Sequence, residues 1–160
     1  MGREPVRSAD VLMNRALGLL ARRGYARAEL SSRLRRITDD PVLIEQVIDR
    51  LAAVGYLDDQ RFAEQRAASL VRAKRGPADI RSRLRRHGVA EGQVGETLSG
   101  LDEDWAANCR ALAEERVARG LDLRDPKAKA KLGRFLIGRG FPPGTVYQVL
   151  RALGAPDEDG

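Results

Sequence analysis

Few side chains in this sequence have the types and spacing that catalysis or metal binding would require. The chain contains one histidine, His87, and one cysteine, Cys109. A Ser-His-Asp arrangement would depend on His87 alone, and a transition-metal site needs several His or Cys ligands. No glycine-rich phosphate-binding motif of the Walker or dinucleotide type occurs. The sequence therefore predicts a protein that is not an enzyme and that binds no metal or other cofactor, with Cys109 as a small buried residue.

Arginine is the residue type in this sequence that could bind a negatively charged partner. Lysine and arginine outnumber the acids by 29 to 23, the formal net charge is +6, and 25 of the cations are arginines. A guanidinium group binds phosphate or carboxylate through two parallel hydrogen bonds. The composition favours a polyanion, or a protein that carries one, as the partner. A coding bias toward alanine and arginine would explain it equally well.

The charges are arranged in blocks. Residues 60–88 carry nine cations and two acids, a local charge of +7, whereas residues 91–104 carry five acids and no cation. Residues 22–36 and 39–59 repeat this order on a smaller scale. Such blocks are either binding surfaces or solvated helix faces.

An internal repeat positions these charges. In each repeat, two leucine or isoleucine residues lie four positions apart. Ten positions after the second of them, an apolar helix face begins, with residues at positions i, i+3, i+4 and i+7. A third amphipathic segment precedes each pair; in the last repeat it runs through Ala106, Cys109, Ala113 and Val117. The sequence predicts an all-α fold of three tandem three-helix repeats, helix-turn-helix-like units that form an elongated, curved array. The three copies of the apolar pattern are Leu30, Leu34, Ile44, Val47, Ile48 and Leu51; Ile80, Leu84, Val94, Thr97, Leu98 and Leu101; and Leu132, Leu136, Val146, Val149, Leu150 and Leu153.

Turn residues set the predicted boundaries. The first helix of each repeat is expected to end at an Arg-Gly pair, with a left-handed glycine after a basic last turn: Arg23-Gly24, Arg75-Gly76 and Arg119-Gly120. Asp39-Asp40-Pro41 and Phe141-Pro142-Pro143 are expected to begin third helices. The repeats are placed at residues 9–57, 58–101 and 102–154, with disordered ends at residues 1–8 and 155–160.

The chain is expected to be a soluble, cytoplasmic monomer that does not contact a membrane. No apolar run approaches the roughly 20 residues that span a bilayer. The N-terminus lacks the apolar core of a signal peptide, and a single cysteine allows no internal disulfide.

A distinctive pattern runs through residues 54–63, Val-Gly-Tyr-Leu-Asp-Asp-Gln-Arg-Phe-Ala, through Arg75-Gly76, and through the spacing from Ile80 to Gly88-Val89. In this pattern the chain resembles the RecX family, bacterial regulators of the RecA recombinase. The resemblance covers nearly the whole chain, from about residue 11 to residue 153. Residues 135–150 are similar to the last repeat of that family. The family signature positions are Gly55, Tyr56, Leu57, Asp58, Asp59, Phe62 and Ala63.

The resemblance implies a protein that binds the RecA filament on single-stranded DNA along its groove. It also implies that the protein restrains ATP hydrolysis, strand exchange and filament growth, in recombination, DNA repair and the SOS response. Contact with the DNA itself would be weak or indirect.

Basic side chains at equivalent positions of the second helices and nearby turns form the predicted binding track for RecA or DNA. The second repeat is expected to be its strongest part. The alternative is a solvated helix face. The track residues are Arg35, Arg36, Arg72, Lys74, Arg75, Arg81, Arg85, Arg86, Lys127, Lys131 and Arg134.

Other polar and aromatic residues are assigned structural roles. Asp58 and Asp59 are expected to cap a helix. Most of the aromatics are expected to pack in the core rather than to stack on bases. The seven aromatic residues are Tyr25, Tyr56, Phe62, Trp105, Phe135, Phe141 and Tyr147.

Direct, sequence-nonspecific DNA binding through the basic helices is the alternative function, since three-helix units resemble helix-turn-helix domains. Base recognition by the third helices is disfavoured because they carry acids that would repel phosphates. These acids are Glu45, Asp49, Glu91 and Glu96.

Overall fold

The chain forms helices in three consecutive groups of three. The structure is a computed structural model that describes residue 2 and residues 4–154, and the described residues contain nine α-helices and no strand. The predicted all-helical fold, with three helices in each repeat, is therefore confirmed. The helices are α1 Ala9–Arg22, α2 Arg27–Leu34, α3 Pro41–Ala53, α4 Asp59–Arg72, α5 Pro77–Arg86, α6 Glu91–Gly100, α7 Trp105–Ala118, α8 Pro126–Gly138 and α9 Pro143–Leu153.

Aspartate side chains begin several of these helices. At the start of α3, Asp40 accepts hydrogen bonds from the N–H groups of Val42 and Leu43, at 3.0 and 3.2 Å. Asp104 accepts one in the first turn of α7, and Asp125 one in the first turn of α8. The first N–H groups of a helix have no partner within it, so an acceptor at this position satisfies them. The predicted start of α3 is confirmed.

The ends of the first helices differ from the prediction. Only Gly120 has the expected left-handed conformation, with φ +105°. After α4 the left-handed residue is Lys74, with φ 62°, and α1 ends at Arg23 in an extended conformation. Gly76 is buried where two stretches of backbone meet. The Arg-Gly pattern therefore marks three different turn structures.

The described helices belong to two compact units. The first comprises Met1–Arg66 with Leu84–Thr97, and the second comprises Ala67–Arg83 with Leu98–Gly160. The first and third repeats each lie in one unit, and the second repeat contributes segments to both.

In the first unit, α1, α2 and α3 enclose an apolar core. Val6 packs against this core, and its N–H donates a hydrogen bond of 3.0 Å to the carbonyl of Ile37. Val6 belongs to the N-terminal segment for which the sequence predicts disorder. Residues 1, 3 and 155–160, for which disorder is also predicted, lie outside the described residues. The core residues are Leu12, Ala16, Tyr25, Leu30, Leu34, Leu43, Ile44, Val47, Ile48, Leu51 and Leu57.

In the second unit, α7, α8 and α9 enclose a separate core. On α7, Leu112 is buried beside Cys109 and Ala113, whereas Ala106 and Val117, which the apolar spacing assigns to the same stripe, are exposed. Burial raises the pKa of the Cys109 thiol to about 11, because an apolar environment disfavours the thiolate. The core residues are Cys109, Leu112, Ala113, Leu132, Leu136, Phe141, Val146, Val149 and Leu150.

In each unit, one glycine packs closely against the start of a second helix. The repeat alignment matches Ala28 with Ala78 and Gly88 with Gly140. A Cβ added to Gly88 would lie 2.7 Å from the Cβ of Ala28. A Cβ added to Gly140 would lie 2.5 Å from the backbone nitrogen of Asp79, and the Ala78 N–H donates to the Gly140 carbonyl at 3.0 Å. Both glycines have positive φ, +85° and +101°. Conformation and space therefore both require glycine.

Replacing Gly140 by alanine is expected to lower the free energy of unfolding by at least about 2 kcal/mol, since a left-handed conformation and a backbone clash both oppose the new methyl group. Gly138→Ala is the control, because nothing lies within 4 Å of the added Cβ. Urea denaturation of both variants measures the difference. Equal stability of the two would contradict the close approach.

The Cys109 thiol is expected to resist alkylation by iodoacetamide at pH 8 in the folded protein, since burial hinders access and the raised pKa leaves little thiolate. The same protein in urea should react rapidly and serves as its own control. Mass spectrometry follows the modification. Labelling of the folded protein at the unfolded rate would show that α7 does not bury this residue.

Candidate functional site

The signature segment, residues 55–63, comprises the connection after α3 and the first residues of α4. Gly55 has φ +84°, and the N–H groups of Tyr56 and Leu57 both donate to the carbonyl of Leu51, at 2.9 and 3.3 Å. Leu57 is buried in the core of the first unit. These hydrogen bonds close the end of α3 and place the next two residues, both aspartates, at the start of α4.

The two signature aspartates cap two different helices. Asp58 accepts a hydrogen bond of 3.0 Å from the N–H of Arg61, in the first turn of α4. Asp59 accepts one of 2.7 Å from the N–H of Arg27, the first residue of α2. The N-cap residue of α2 is Ala26, whose side chain makes no capping bond. Both predicted capping roles are confirmed, but Asp59 serves a helix in the preceding repeat.

His87 makes structural contacts. Its Nδ1 lies 2.5 Å from the Oε2 of Glu29, and its ring meets the edge of Phe62 with ring centres 5.3 Å apart. Glu29 also accepts a hydrogen bond of 2.9 Å from Arg23, whose guanidinium lies over the Tyr25 ring. This histidine and its carboxylate therefore hold the turn after α5 against the start of α2.

Tyr56 is the signature residue whose side chain has no evident part in this connection. It is 60% exposed, and Tyr147 in α9 is 66% exposed, so these two tyrosines are exceptions to the prediction that most aromatics pack in the core. Tyr56 borders a cavity of about 260 Å³, called here the Tyr56 pocket. Its lining residues are Leu20, Gly24, Tyr25, Tyr56, Asp58, Arg61, Phe62 and Gln65.

Several cations of the predicted basic track are engaged in ion pairs. Arg85 donates two hydrogen bonds to Glu91, of 2.6 and 2.8 Å, and this contact raises the pKa of the Arg85 guanidinium. Lys74 pairs with Glu115, whose pKa it lowers. Arg75 lies 3.6 Å from a carboxylate oxygen of Asp79. Arg81 is half-buried and also engaged. The second repeat, expected to be the strongest part of the track, thus has many of its charges occupied.

The other predicted cations are exposed and form no ion pair with any described residue. They are available to a partner without first breaking an ion pair with a described residue. Three lie in the first unit and four in the second, and the track across all repeats stays a prediction. These cations are Arg35, Arg36 and Arg86 in the first unit, and Arg72, Lys127, Lys131 and Arg134 in the second.

From the sequence, no role is assigned to Arg139, and Arg15 is not grouped with Arg22 and Arg33. Arg139 donates hydrogen bonds to the backbone carbonyls of Ala73 and Lys74, and its partial burial lowers the pKa of its guanidinium. Arg15, Arg22 and Arg33 border one groove. The spacing of Arg15 and Arg22, seven residues apart on α1, was an available signal for this group.

The structure offers no metal centre or membrane span within its described part. No group of three or more His, Cys, Asp or Glu side chains there could hold a metal ion. Among the helices described, none combines the length and the apolar character needed to cross a bilayer.

Comparison with known proteins identifies three consecutive domains. Residues 13–51 match the family model for the first three-helix domain of RecX, residues 58–98 the second, and residues 102–150 the third. The regulatory protein RecX of Halorhodospira halophila is 39% identical over 152 residues, which cover 95% of this chain and 92% of that protein. The regulatory protein RecX of Chromohalobacter salexigens is 42% identical over 127 residues, covering 79% and 82%.

Solved structures agree in fold. The crystal structure of RecX from Lactobacillus salivarius superimposes with a TM-score of 0.76 at 21% identity, covering 91% of this chain and 96% of that one. A second crystal structure of a regulatory protein RecX gives a TM-score of 0.74 at 20% identity, covering 90% and 71%.

Removing either signature carboxylate, by Asp58→Ala or Asp59→Ala, is expected to lower the free energy of unfolding by about 1 kcal/mol, the usual cost of losing a helix cap. Tyr56→Ala is the matched control within the same segment. Because its side chain is mostly exposed, its effect should stay within about 0.5 kcal/mol. Thermal and urea denaturation measure all three. A Tyr56 variant as unstable as the aspartate variants would assign Tyr56 a structural role.

Proposed function

Because the chain belongs to the RecX family of regulatory proteins, we propose that it regulates the RecA recombinase by binding the filament that RecA forms on single-stranded DNA. The observation that carries the proposal is the match of all three RecX domains, in order, along the chain. The relatives from Halorhodospira halophila and Chromohalobacter salexigens are called regulatory proteins, which supports a regulatory rather than a catalytic role.

The proposed mode of action is binding along the filament groove. A RecA filament presents the same protein surface at regular intervals, and three similar helical modules suit such a repeating partner. A protein that occupies the groove restrains ATP hydrolysis, strand exchange and filament growth. The protein would act in the cytoplasm, in recombination, DNA repair and the SOS response.

The cations without an ion pair are the proposed contacts in this interface. An arginine already paired with a carboxylate must lose that pair before it binds a new partner, whereas an exposed unpaired arginine loses only water. Arg35 and Arg36 directly follow α2, and Arg86 is the last residue of α5. Arg36 and Arg86 occupy equivalent repeat positions. These three residues are therefore the proposed contacts in the first unit.

Tyr56 is proposed as a second contact. Tyrosine is enriched among residues that contribute most to protein interfaces, because it buries a large rigid surface at little entropic cost. Here the ring is exposed beside the Tyr56 pocket. An apolar side chain of RecA would fit between Tyr56 and the neighbouring aromatic rings.

Direct DNA binding by the third helices is less well supported. Glu45, Asp49, Glu91 and Glu96 are all exposed on α3 and α6, so these helices present carboxylates to an approaching phosphate backbone. Arg27 pairs with Asp49 and Arg85 with Glu91, which neutralises only part of that charge.

The test is ATP hydrolysis by RecA on single-stranded DNA, with the protein added in stoichiometric amount. Hydrolysis is expected to fall. Unchanged hydrolysis, with the protein shown to be folded by circular dichroism, would contradict the proposed function.

The combined substitution R35Q/R36Q/R86Q is expected to require about tenfold more protein for the same inhibition, as three contacts to a negatively charged surface are lost. Arg85 is left intact because of its pair with Glu91. The matched control is R50Q/R119Q/R151Q, which removes the same charge from exposed arginines that form no ion pair with a described residue. Equal inhibition by both variants would make the second-helix arginines part of a solvated face.

A further inference from the structure

A groove in the first unit is bordered by three arginines and contains no carboxylate. It has a volume of about 350 Å³ and lies along one face of α1, opposite the end of α2. Its lining residues are Asn14, Arg15, Gly18, Leu19, Arg22, Arg33 and Ile37. We call it the α1–α2 groove. Its volume is within the range of ligand-binding clefts, about 300–1,000 Å³.

Among the described residues, no carboxylate pairs with any of the three guanidinium groups. Arg15, Arg22 and Arg33 are exposed, and none forms an ion pair with a residue in the described part of the chain. By contrast, Arg23 on the neighbouring turn pairs with Glu29. Three like charges around one concavity repel each other, and a bound anion would remove that repulsion.

Helix dipoles explain only part of this arrangement. Arg22 and Arg33 stand in the last turns of α1 and α2, where a cation interacts favourably with the carbonyl ends. Arg15 stands in the middle of α1, about two turns before its end, where the dipole gives no such benefit. The helix dipole therefore does not explain why Arg15 borders the same groove.

Gly18 keeps the floor of the groove clear. It lies in the interior of α1, where glycine costs about 0.5–1 kcal/mol relative to alanine. An added Cβ would meet nothing within 4 Å, and its φ is not in the left-handed region. Neither packing nor backbone conformation therefore requires glycine here. A side chain at this position would instead occupy the space between Arg15, Arg22 and Arg33.

We propose that the α1–α2 groove binds the phosphate backbone of single-stranded DNA directly. Guanidinium groups and the Asn14 amide can donate hydrogen bonds to phosphate oxygens, while the half-buried Leu19 and Ile37 offer an apolar surface to the sugar. The choice of single-stranded DNA rests on the proposed function, because that strand lies in the RecA filament. None of the seven lining residues belongs to the predicted basic track.

The experiment measures binding without RecA, by fluorescence anisotropy of a labelled single-stranded oligothymidylate at 50 and 200 mM salt. R15Q/R22Q/R33Q is expected to bind at least about tenfold more weakly at 50 mM salt, with a salt slope smaller by about 2, since each lost phosphate contact removes about 0.7. The charge-matched control R50Q/R119Q/R151Q should lose less affinity and keep its slope nearer to that of the wild type.

A second variant blocks the groove without changing charge. Gly18→Gln places a long neutral side chain on the groove floor and favours the helix, so its thermal stability should not fall. Its DNA binding is expected to weaken severalfold. Gly92→Gln is the control, since Gly92 is also an exposed glycine within a helix, with nothing within 4 Å of an added Cβ.

Three results would overturn the proposal: no binding by the wild type at 50 mM salt, equal binding by the arginine variant and its control, or equal binding by Gly18→Gln and Gly92→Gln. Competition by polyglutamate as strong as that by unlabelled oligothymidylate would also overturn it, in favour of an acidic protein segment. The RecA hydrolysis assay, run on the same proteins, tests the proposed function separately. Wild-type protein that inhibits RecA while failing to bind DNA would reject the groove alone.

Discussion

The N-termini of the second helices in the first two repeats are completed by residues of the following repeat. The first N–H of α2 is satisfied by Asp59. At the start of α5, the N–H groups of Gly76 and Ala78 donate to the carbonyls of Arg139 and Gly140, at 2.7 and 3.0 Å. Each of these N–H groups therefore has its acceptor in the next repeat along the chain. Of the three, Gly76 is buried, and a buried donor left without a partner costs about 1–3 kcal/mol. The start of α8, by contrast, has its own cap in Asp125.

These contacts between repeats explain much of the signature segment without reference to a partner. Asp59 reaches the preceding repeat, Phe62 packs against His87, and Ala63 is completely buried. Each makes a contact within the fold, whereas the same segment leaves Tyr56 mostly exposed. A motif that identifies a family can therefore consist mostly of residues that join modules. Within such a motif, a residue without an evident structural role is the better candidate for a role in binding.

Helix periodicity was predictable from the sequence because each stripe is a local property of one helix. The apolar positions of α3 and α9 are buried as predicted, at Val47 and Val149 among others. Contacts between repeats were not predictable, since they depend on which turns meet. The sequence predicts that Gly76 caps a helix, but Gly76 lies where two stretches of backbone meet. Tyr147 is predicted to pack in the core, but its side chain is exposed. Likewise, the local charge of +7 in residues 60–88 does not predict which of these cations pair with carboxylates distant in the sequence. Lys74, for example, pairs with Glu115.

The arginines therefore form two groups, those that contact backbone carbonyls or carboxylates and those that form no ion pair with a described residue. Position in the sequence does not separate these groups. Arg139 closes α4 through backbone carbonyls, and both Arg75 and Arg83 lie near Asp79. These arginines stabilise turns and helix ends, so part of the arginine content is structural and needs neither a polyanion nor a coding bias. The unpaired arginines are different, because Coulomb repulsion among them goes unrelieved within the described structure. Because these side chains are exposed, solvent screens much of that repulsion, and a bound anion would remove the remainder. The α1–α2 groove, where Arg15, Arg22 and Arg33 meet no acid, is the clearest such place in the first unit.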